Sequence, residues 1–362
     1  MSDRELASAR VRALLGVAAK LATPGDPLHE RVREALMRQS GLSPEGVVLA
    51  LTEHVETTIS DAQLDAVLAW AGTSPRCHVV LAANVPVAAV RALALALAAA
   101  PEVALKPSRR DPGLTLPFVE ALRDDERFGA TGARVEIVHE LVVEPGEQVH
   151  AYGRDETVRA IAASLPEGAR LRPHGAGLSI AVVEGDDDLE LAAAGLARDV
   201  VAFDQRGCLS PRIALVAGGI DEAERLTRAL HLELGRYDAR VPRGALDPAA
   251  QAALGQYASL LEAIGRAMRG RGHVVGLDLA PVRLELAPEA RAVHVASAAA
   301  HELAPLLKPL ARWITAVGLG RSVEAPGPLA RSALRLLPKA RVARLGELQR
   351  PPLDGPVDLR GG

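Results

Sequence analysis

The chain has 362 residues, of which 49% are hydrophobic and 24% are charged, and its formal net charge at pH 7 is -3. This length allows two domains with separate cores, or one large α/β unit with appendages, and it excludes a single small module. The slightly negative charge and an aromatic content of 2% argue against a nucleic-acid surface, which needs a basic field and stacking side chains. We therefore expect a globular protein that acts on small molecules.

The two cysteines, Cys77 and Cys208, are too few for a disulfide framework and are not spaced like the ligands of a metal cluster. We therefore expect a reducing compartment and no bound metal. The N-terminal residues include acidic side chains and lack an apolar block before a cleavage site, so we expect no signal peptide. The longest apolar run, residues 92–100, is too short to cross a bilayer. The sequence thus predicts a cytoplasmic protein without membrane insertion.

Residues 1–75 are predicted to be helical, because apolar residues recur with helical spacing in RVREALMRQSG and DAQLDAVLAWAG. From Cys77 the pattern changes to short apolar runs that alternate with helical segments. HVVLAANVP and EVALKPS are the first two such runs, and VAAVRALALALAAA is the predicted helix between them. This alternation predicts βαβ units and a parallel sheet covered by helices.

The alternation continues through the predicted strands ARVEIVH, QVHAYG and LSIAVVEG. The three aspartates at 186–188 are then expected to start a helix, since carboxylates accept the free amides of a first turn. This helix leads to the loop FDQRGCLSPR, which the apolar run IALVAGG follows. Residues 237–320 show a second and weaker α/β pattern, and the tail from Ala340 is predicted to be a short strand followed by Pro-rich extended chain.

Cys208 is the candidate nucleophile. It lies in a turn between a predicted helix and a buried strand, and Arg206 precedes it by two residues. A nearby cation lowers the pKa of a thiol and so increases the reactive thiolate. The alternative is a buried and unreactive cysteine. Cys77 fits that description better, because it begins an apolar strand.

Asn84 and His174 are the other candidate catalytic residues. Asn84 follows the first strand of the predicted sheet, where its amide could donate a hydrogen bond to an oxyanion in the crevice. An asparagine before Val-Pro is also an ordinary turn residue. His174 precedes the strand that leads to the Cys208 helix, where a neutral imidazole could act as a base or could simply line a loop.

Lys106, Ser108 and Gly153 are candidates for nucleotide binding. Lys106 ends the second strand and Ser108 follows it, so an ammonium group and a hydroxyl stand at the edge where a phosphate or ribose would bind. The alternative for Lys106 is a solvated lysine at a strand end. Gly153 closes a strand and opens a helix, a geometry in which backbone amides can receive a pyrophosphate. The sequence contains no G-x-G-x-x-G, so the usual dinucleotide fingerprint is absent.

The order and spacing of these residues resemble the aldehyde dehydrogenase superfamily. In that superfamily a strand-end Asn-x-Pro is followed by Lys-Pro-Ser, then by a glycine at a strand-to-helix turn, and finally by the catalytic cysteine. Within the superfamily, the chain is similar to the fatty acyl-CoA reductases of luciferase operons. The similar segments are LAANVP, KPSRRDP, HAYGRDET, GLSIAVV, FDQRGCLSPR, WITAVGLG and LGELQRPPLDGPVD, which run from about residue 76 to 360.

The resemblance implies an α/β fold of the aldehyde dehydrogenase type, with two parallel-sheet domains, an N-terminal helical segment and an extended C-terminal arm. The expected parts are a helical segment, an NAD(P)-binding domain, a catalytic domain carrying Cys208 and an oligomerisation arm, at 1–75, 76–180, 181–320 and 321–362. It also implies a homodimer, NADPH or NADH as cofactor, an acyl thioester as substrate, and a possible acyl-activating ligase as partner.

The resemblance further implies the reaction. Cys208 would attack an acyl thioester, while Asn84 and the backbone amide of Cys208 would hold the oxyanion, and reduction by the nicotinamide would release an aldehyde. Lys106 and Ser108 would bind the adenosine ribose or its 2′-phosphate, and Gly153 would lie against the pyrophosphate.

Two departures from the family pattern bear on this reaction. Oxidising members have, at the place of His174, a glutamate that activates water; reduction needs no such water, so its replacement favours the reductase direction. The reductases usually have a His-Arg pair before the serine that corresponds to Ser179, whereas this chain has Ala176 and Gly177. Two alternatives stay open: an NAD(P)-dependent aldehyde dehydrogenase that forms an acid, and a catalytically silent homologue that acts as a partner subunit.

Overall fold

A computed structural model describes residues 2–111, 113–281 and 283–360 of the chain. Four helices form the N-terminal segment: α1 (Asp3–Ala22), α2 (Pro27–Gln39), α3 (Pro44–Glu53) and α4 (Asp61–Ala71). Each begins where a polar side chain accepts a hydrogen bond from a free amide of the first turn, and the capping residues are Ser2, Asp26, Ser43 and Ser60. The helical prediction for this segment is therefore confirmed, and the local sequence accounts for where each helix starts.

The first sheet has five strands in the order β3-β2-β1-β4-β5, and all of its pairings are parallel. Its elements in chain order are β1 (Arg76–Val80), α5 (Ala88–Ala99), β2 (Glu102–Lys106), α6 (Thr115–Asp124), α7 (Glu126–Gly129), β3 (Arg134–Ile137), β4 (Gln148–Tyr152), α8 (Asp155–Ser164) and β5 (Arg170–His174). Helix α5 is buried along nearly its whole length, because it packs between the sheet and helices α1 and α4. The N-terminal helices and the first sheet thus share one hydrophobic core.

The second sheet has seven strands in the order β12-β11-β6-β7-β10-β9-β8, with β8 as an antiparallel edge strand. Its elements are β6 (Leu178–Val183), α9 (Leu189–Val201), β7 (Pro211–Val216), α10 (Ile220–Arg240), α11 (Pro248–Ile264), β8 (Gly265–Arg269), β9 (Val274–Asp278), β10 (Ala292–Ser297), α12 (Leu303–Leu307), β11 (Ile314–Leu319), α13 (Pro328–Leu336) and β12 (Arg341–Arg344). Helices cover both faces of this sheet, so its central strands are buried apolar runs.

The predicted α/β fold with two mostly parallel sheets is confirmed. The aspartate run also starts a helix as predicted, since the Asp188 side chain accepts hydrogen bonds from the amides of Glu190 and Leu191 at the start of α9. Strand β5 was not predicted, because RLRPH is a short edge strand without an apolar run, and it contains a proline, which is unfavourable within a strand. The first sheet ends at His174 and the second begins at Leu178, and we keep the four-part division of the chain as a proposal.

The C-terminal tail packs against its own chain. The buried Arg91 of α5 donates hydrogen bonds to the carbonyls of Pro351, Pro352 and Gly355, at 2.6, 3.0 and 2.9 Å. Leu353 belongs to the core of the first sheet, whereas Val357 packs against the core of the second. The extended tail therefore connects the two cores. Within the described part of the chain, none of the helices combines the length and the apolar character that a bilayer crossing needs.

Candidate active site

The predicted site residues on the first sheet meet at one edge. In the order of the strands across the sheet, Lys106 ends β2, Asn84 follows β1, Gly153 follows β4, and His174 ends β5. Because all these strands are parallel, their carboxyl ends lie on the same side of the sheet. The carboxyl edge of an open α/β sheet is where such folds bind ligands.

The loop that carries Cys208 lies against this edge. The Asn84 side-chain nitrogen Nδ2 donates a hydrogen bond of 2.9 Å to the backbone carbonyl of Arg206, two residues before Cys208. Val85 approaches the next residue, since its Cγ2 would lie 3.4 Å from a Cβ built on Gly207. A primary amide has two N–H donors, so this contact occupies one of them and leaves the other for a ligand. The structure therefore brings Asn84 and the loop of Cys208 together.

The prediction that Arg206 lowers the pKa of Cys208 is wrong. The Arg206 guanidinium turns away from the thiol and donates to the carbonyls of Ser40 and Gly41, at 2.6 and 3.1 Å. The pKa of Cys208 is raised to about 11, first because burial disfavours the thiolate and second because the Asp358 carboxylate lies nearby. Cys208 is half-buried, whereas Cys77 is fully buried and burial raises its pKa to about 12. The picture of an unreactive core cysteine therefore fits Cys77.

Arg360, in the C-terminal tail, is the cation that acts on the Cys208 thiol, a role that the sequence suggested for Arg206. The charge of Arg360 opposes that of Asp358 and lowers the pKa of the Cys208 thiol. Arg360 is fixed by hydrogen bonds to the carbonyls of Ala176 and Arg312, at 2.9 and 2.6 Å, and by an ion pair of 2.7 Å with Asp358. Sequence reasoning missed Arg360 and Asp358, because nothing in an extended Pro-rich tail shows where it docks.

Gly177 is the point where three segments of the site meet. A Cβ built on Gly177 would overlap the Thr315 hydroxyl and would lie 3.1 Å from Arg360 Nη2 and 3.2 Å from Cys208 Cβ. These distances are tighter than ordinary contacts, so a side chain at position 177 would displace at least one of these groups. In this structure there is therefore no room for a large side chain at position 177, where this chain departs from the family pattern.

His174 is buried and stacks on the Tyr152 ring, with 4.2 Å between the ring centres and 11° between the planes. Burial lowers the pKa of His174 to about 4, although the Asp358 carboxylate opposes this shift. The imidazole is therefore neutral at physiological pH, and its Nε2 has no hydrogen-bond partner among the described residues. Trp70 and His150 complete a small cluster of rings around it. Its role as a base stays a prediction.

The surroundings of Lys106, Ser108 and Gly153 suit the phosphates and ribose of a nucleotide. The Lys106 side chain makes no hydrogen bond or ion pair with a residue that the structure describes. Ser108 is half-buried and its hydroxyl accepts a hydrogen bond of 3.3 Å from the Arg110 amide. Gly153 lies two residues before α8, whose N-cap residue Arg154 makes no side-chain capping hydrogen bond. Free first-turn amides and an unpaired ammonium group suit a pyrophosphate and a ribose phosphate.

Comparison with protein families gives one match over most of the chain. The family model described as acyl-CoA reductase (LuxC) matches residues 60–355. Two curated relatives are similar over a shorter segment: the long-chain acyl-protein thioester reductase of Aliivibrio fischeri and the long-chain acyl-protein thioester reductase 2 of Photobacterium leiognathi. Each is 24% identical over 174 residues, which cover 45% of this chain and 36% of the relative. The match thus spans little more than a third of either relative.

Solved structures with the same architecture include aldehyde dehydrogenases, an oxidoreductase and proline utilization A. An NAD-dependent aldehyde dehydrogenase from Sinorhizobium meliloti has a TM-score of 0.63 at 17% identity, covering 95% of this chain and 74% of that one. An oxidoreductase from Marinobacter aquaeolei has a TM-score of 0.69 at 14% identity, covering 97% and 79%. Proline utilization A has a TM-score of 0.65 at 16% identity, covering 98% of this chain and 41% of that one. These likenesses show the aldehyde dehydrogenase fold, and the family match over residues 60–355 shows that the chain belongs to the acyl-CoA reductase (LuxC) family.

Proposed function

We propose that the chain reduces an acyl thioester to an aldehyde with NADPH or NADH, through a covalent thioester on Cys208. One observation carries this proposal: Asn84, on the loop after β1, donates to the backbone two residues before Cys208, so an amide donor is held against the loop that carries the thiol. Membership of the acyl-CoA reductase family supports the same reaction. The nearby carboxyl edge of the first sheet supplies the groups that suit the cofactor.

In the first step the Cys208 thiolate adds to the carbonyl carbon of the acyl thioester, and a new carbon–sulfur bond forms. The second N–H of Asn84 and the backbone amide of Cys208 donate to the oxyanion that develops on the carbonyl oxygen. The original carbon–sulfur bond then breaks, and the carrier leaves as a thiol after taking one proton. The acyl group is left on Cys208.

Lys106, Ser108 and Gly153 would hold the cofactor along the carboxyl edge of the first sheet. Lys106 and Ser108 provide an ammonium group and a hydroxyl for the adenosine ribose, and the uncapped start of α8 after Gly153 provides amides for the pyrophosphate. When bound, the reduced nicotinamide supplies a hydride to the acyl carbon. Asn84 again holds the oxyanion, and Cys208 leaves as the aldehyde forms.

The state of His174 supports the reductive direction. Reduction of the acyl-enzyme needs no base that activates water; His174 is neutral and buried, and the family resemblance assigns it the position of the glutamate of oxidising members. Because the pKa of Cys208 is about 11, only a small fraction is thiolate at neutral pH. We infer that Arg360 keeps that fraction from being smaller still.

A substrate panel tests the proposal. The protein is incubated with NADPH or NADH and acyl-CoA thioesters of increasing chain length, and the loss of absorbance of the reduced cofactor is followed together with aldehyde formation. Turnover of at least one thioester, with stoichiometric aldehyde, is the expected result. Turnover of aldehyde plus NAD(P)+ without any thioester reduction would instead show an oxidising aldehyde dehydrogenase. A protein that turns over neither thioesters nor aldehydes would be the silent homologue.

The family resemblance also suggests how the protein works in the cell. We propose a cytoplasmic homodimer that receives its acyl group from an acyl-activating ligase. Size-exclusion chromatography with light scattering tests the dimer. Co-purification with a candidate ligase from the same host, followed by transfer of a labelled acyl group to Cys208, tests the partner.

A further inference from the structure

The three residues at the start of the Cys208 loop have an unusual backbone. Phe203, Asp204 and Gln205 have φ angles of 53°, 53° and 65°, in the left-handed region. Residues with a side chain rarely adopt this conformation, because Cβ crowds the neighbouring carbonyl oxygen, and a run of three is much rarer. Such a turn persists only where the surrounding structure holds it.

A buried ion pair holds the middle of this turn. The Asp204 carboxylate accepts from Arg291 Nε at 2.9 Å and lies 2.7 Å from Arg291 Nη2, while its second oxygen accepts from the Gly244 amide at 3.0 Å. Both side chains are almost fully buried, with exposures of 3% for Asp204 and 1% for Arg291. Arg291 also donates to the Val241 carbonyl at 2.7 Å.

Gln205 ties the turn to two strands. Its side-chain oxygen accepts from the Ala292 amide at 2.8 Å, and its side-chain nitrogen donates to the carbonyls of Ala292 and Pro211, each at 2.7 Å. Ala292 is the first residue of β10 and Pro211 is the first residue of β7. Since Gln205 and Pro211 lie on either side of Cys208 in the chain, both ends of the loop are anchored.

The segment that carries Arg291 is itself in a left-handed conformation. Ala290 and Arg291 have φ angles of 115° and 59°, immediately before β10. Arg291 therefore joins two strained segments by one guanidinium group. On its other side lies a second buried carboxylate, Asp238, at 3.6 Å, which in turn contacts His273 at 2.8 Å. Only a planar guanidinium, with donors in several directions, can reach Asp204, Val241 and Asp238 at once.

We infer that Asp204 and Arg291 are positioning residues that fix the Cys208 loop in the geometry needed for attack on the thioester. They act through the backbone of residues 203–205 and touch neither substrate nor cofactor. The inference deepens the proposed function and rests on it. A displacement of a nucleophile by about 1 Å can reduce a rate about 10²-fold, so the hold on this turn has a large effect on turnover.

Three variants and a control test the inference. Arg291→Met removes the guanidinium that pairs with Asp204. Arg291→Lys keeps the charge without the planar set of donors. Asp204→Asn removes the carboxylate while keeping an acceptor for the Gly244 amide. The control is Arg321→Met, which breaks another arginine–aspartate pair, with Asp187 at 2.6 Å, in which the arginine is half-buried. That pair lies at the carboxyl ends of β6 and β11, on the opposite edge of the second sheet from Cys208.

Turnover and thiol reactivity should separate in these variants. We expect kcat for the acyl-CoA to fall about 10²-fold in Arg291→Met and Asp204→Asn, with KM and the Kd of NADPH within about twofold of the parent. Alkylation of Cys208 by iodoacetamide should be unchanged or faster, because the freed loop exposes the thiol. Arg291→Lys should recover only part of kcat, and Arg321→Met should lower Tm while keeping kcat within about twofold.

Other outcomes overturn the inference. Equal losses of kcat in Arg291→Met and Arg321→Met would mean a purely structural role, and a parallel loss of kcat and alkylation would mean an effect on thiol ionisation. If Arg291→Met does not fold, the kcat and alkylation rates of Asp204→Asn and Arg291→Lys decide the test. If the parent reduces no thioester, the proposed function fails. Hydrogen exchange then tests by itself whether Asp204 and Arg291 hold the Cys208 loop. Amides of residues 203–212 should then exchange faster in these variants and not in Arg321→Met.

Discussion

Arg360 and Cys208 approach the same point beside Gly177: Arg360 Nη2 and Cys208 Cβ lie 3.1 and 3.2 Å from the position that a Cβ on this glycine would occupy. The tail therefore brings a cation to the nucleophile from the far end of the chain. It also brings the Asp358 carboxylate, so the thiol experiences two opposed charges from one short segment. The state of the nucleophile depends on how the tail docks.

The first prediction concerns this cation. Arg360→Gln removes a positive charge beside Cys208 and leaves Asp358 uncompensated, so the pKa of the thiol should rise further. Well below that pKa the alkylation rate follows the thiolate fraction, so iodoacetamide should label Cys208 roughly three- to tenfold more slowly at pH 8. Arg206→Gln should leave the thiolate fraction unchanged, because that guanidinium faces Ser40 and Gly41. Equal effects of the two substitutions would contradict this assignment.

The second prediction separates the two cysteines. Cys208→Ala should abolish thioester reduction and leave the Kd of NADPH within about twofold, because the thiol and the cofactor use different groups. Cys77→Ala should keep kcat, since Cys77 is buried in the first core and its thiol is protonated. That variant should only lose stability, by about 1 kcal/mol for a small cavity. Joint loss of cofactor binding and turnover in Cys208→Ala would point to damage of the fold.

The third prediction concerns Asn84. Asn84→Ala should lower kcat about 10²- to 10³-fold, as for loss of an oxyanion donor in other enzymes. Asn84→Asp is the matched variant, because it keeps the size of the side chain and replaces the donor with a charged acceptor. It should be at least as defective in stopped-flow measurements of acyl-enzyme formation. A wild-type rate in either variant would remove Asn84 from the mechanism.

Much of the first sheet could be predicted from the sequence. The helices and strands around Asn84, Lys106 and Gly153 follow from the alternation of short apolar runs with helical segments, and parallel strands place their carboxyl ends together. Proximity between Asn84 and Cys208 could not be derived from periodicity, because the two lie on different sheets. Their order and spacing along the chain, compared with a known family, gave the expectation that they act together.

The charges around Cys208 could not be predicted from local sequence. Arg206 is a neighbour in the chain, yet its side chain is drawn to the carbonyls of the α2–α3 connection. Arg360 is distant in the chain, yet it lies near the thiol because Arg91 donates hydrogen bonds to the tail carbonyls of Pro351 and Pro352 and so fixes where the tail docks. The left-handed turn at 203–205 is also invisible in sequence, since none of its residues is a glycine. Tertiary hydrogen bonds decide all three features.

The fourth prediction is the pH dependence of Cys208 labelling. The folded pKa of this thiol is about 11, above its ordinary value, and that of His174 is about 4, below its ordinary value. Neither group titrates between about pH 6 and 9, so the logarithm of the alkylation rate should rise by one per pH unit across this range. A plateau below pH 9 would show a thiol with a much lower pKa. A bend near pH 6.5 would show that His174 titrates normally.

The fifth prediction tests the crowding at Gly177. Gly177→Ala should lower kcat by at least about tenfold, because the added methyl would overlap the Thr315 hydroxyl and press on Cys208 and Arg360. Removing the hydroxyl in the double variant Gly177→Ala/Thr315→Ala makes room, so part of the lost kcat should return, whereas Thr315→Ala alone should have a small effect. Thermal unfolding of all three shows whether the loss is local. Simple additivity of the two single effects on kcat would mean that residue 177 does not crowd the site through Thr315.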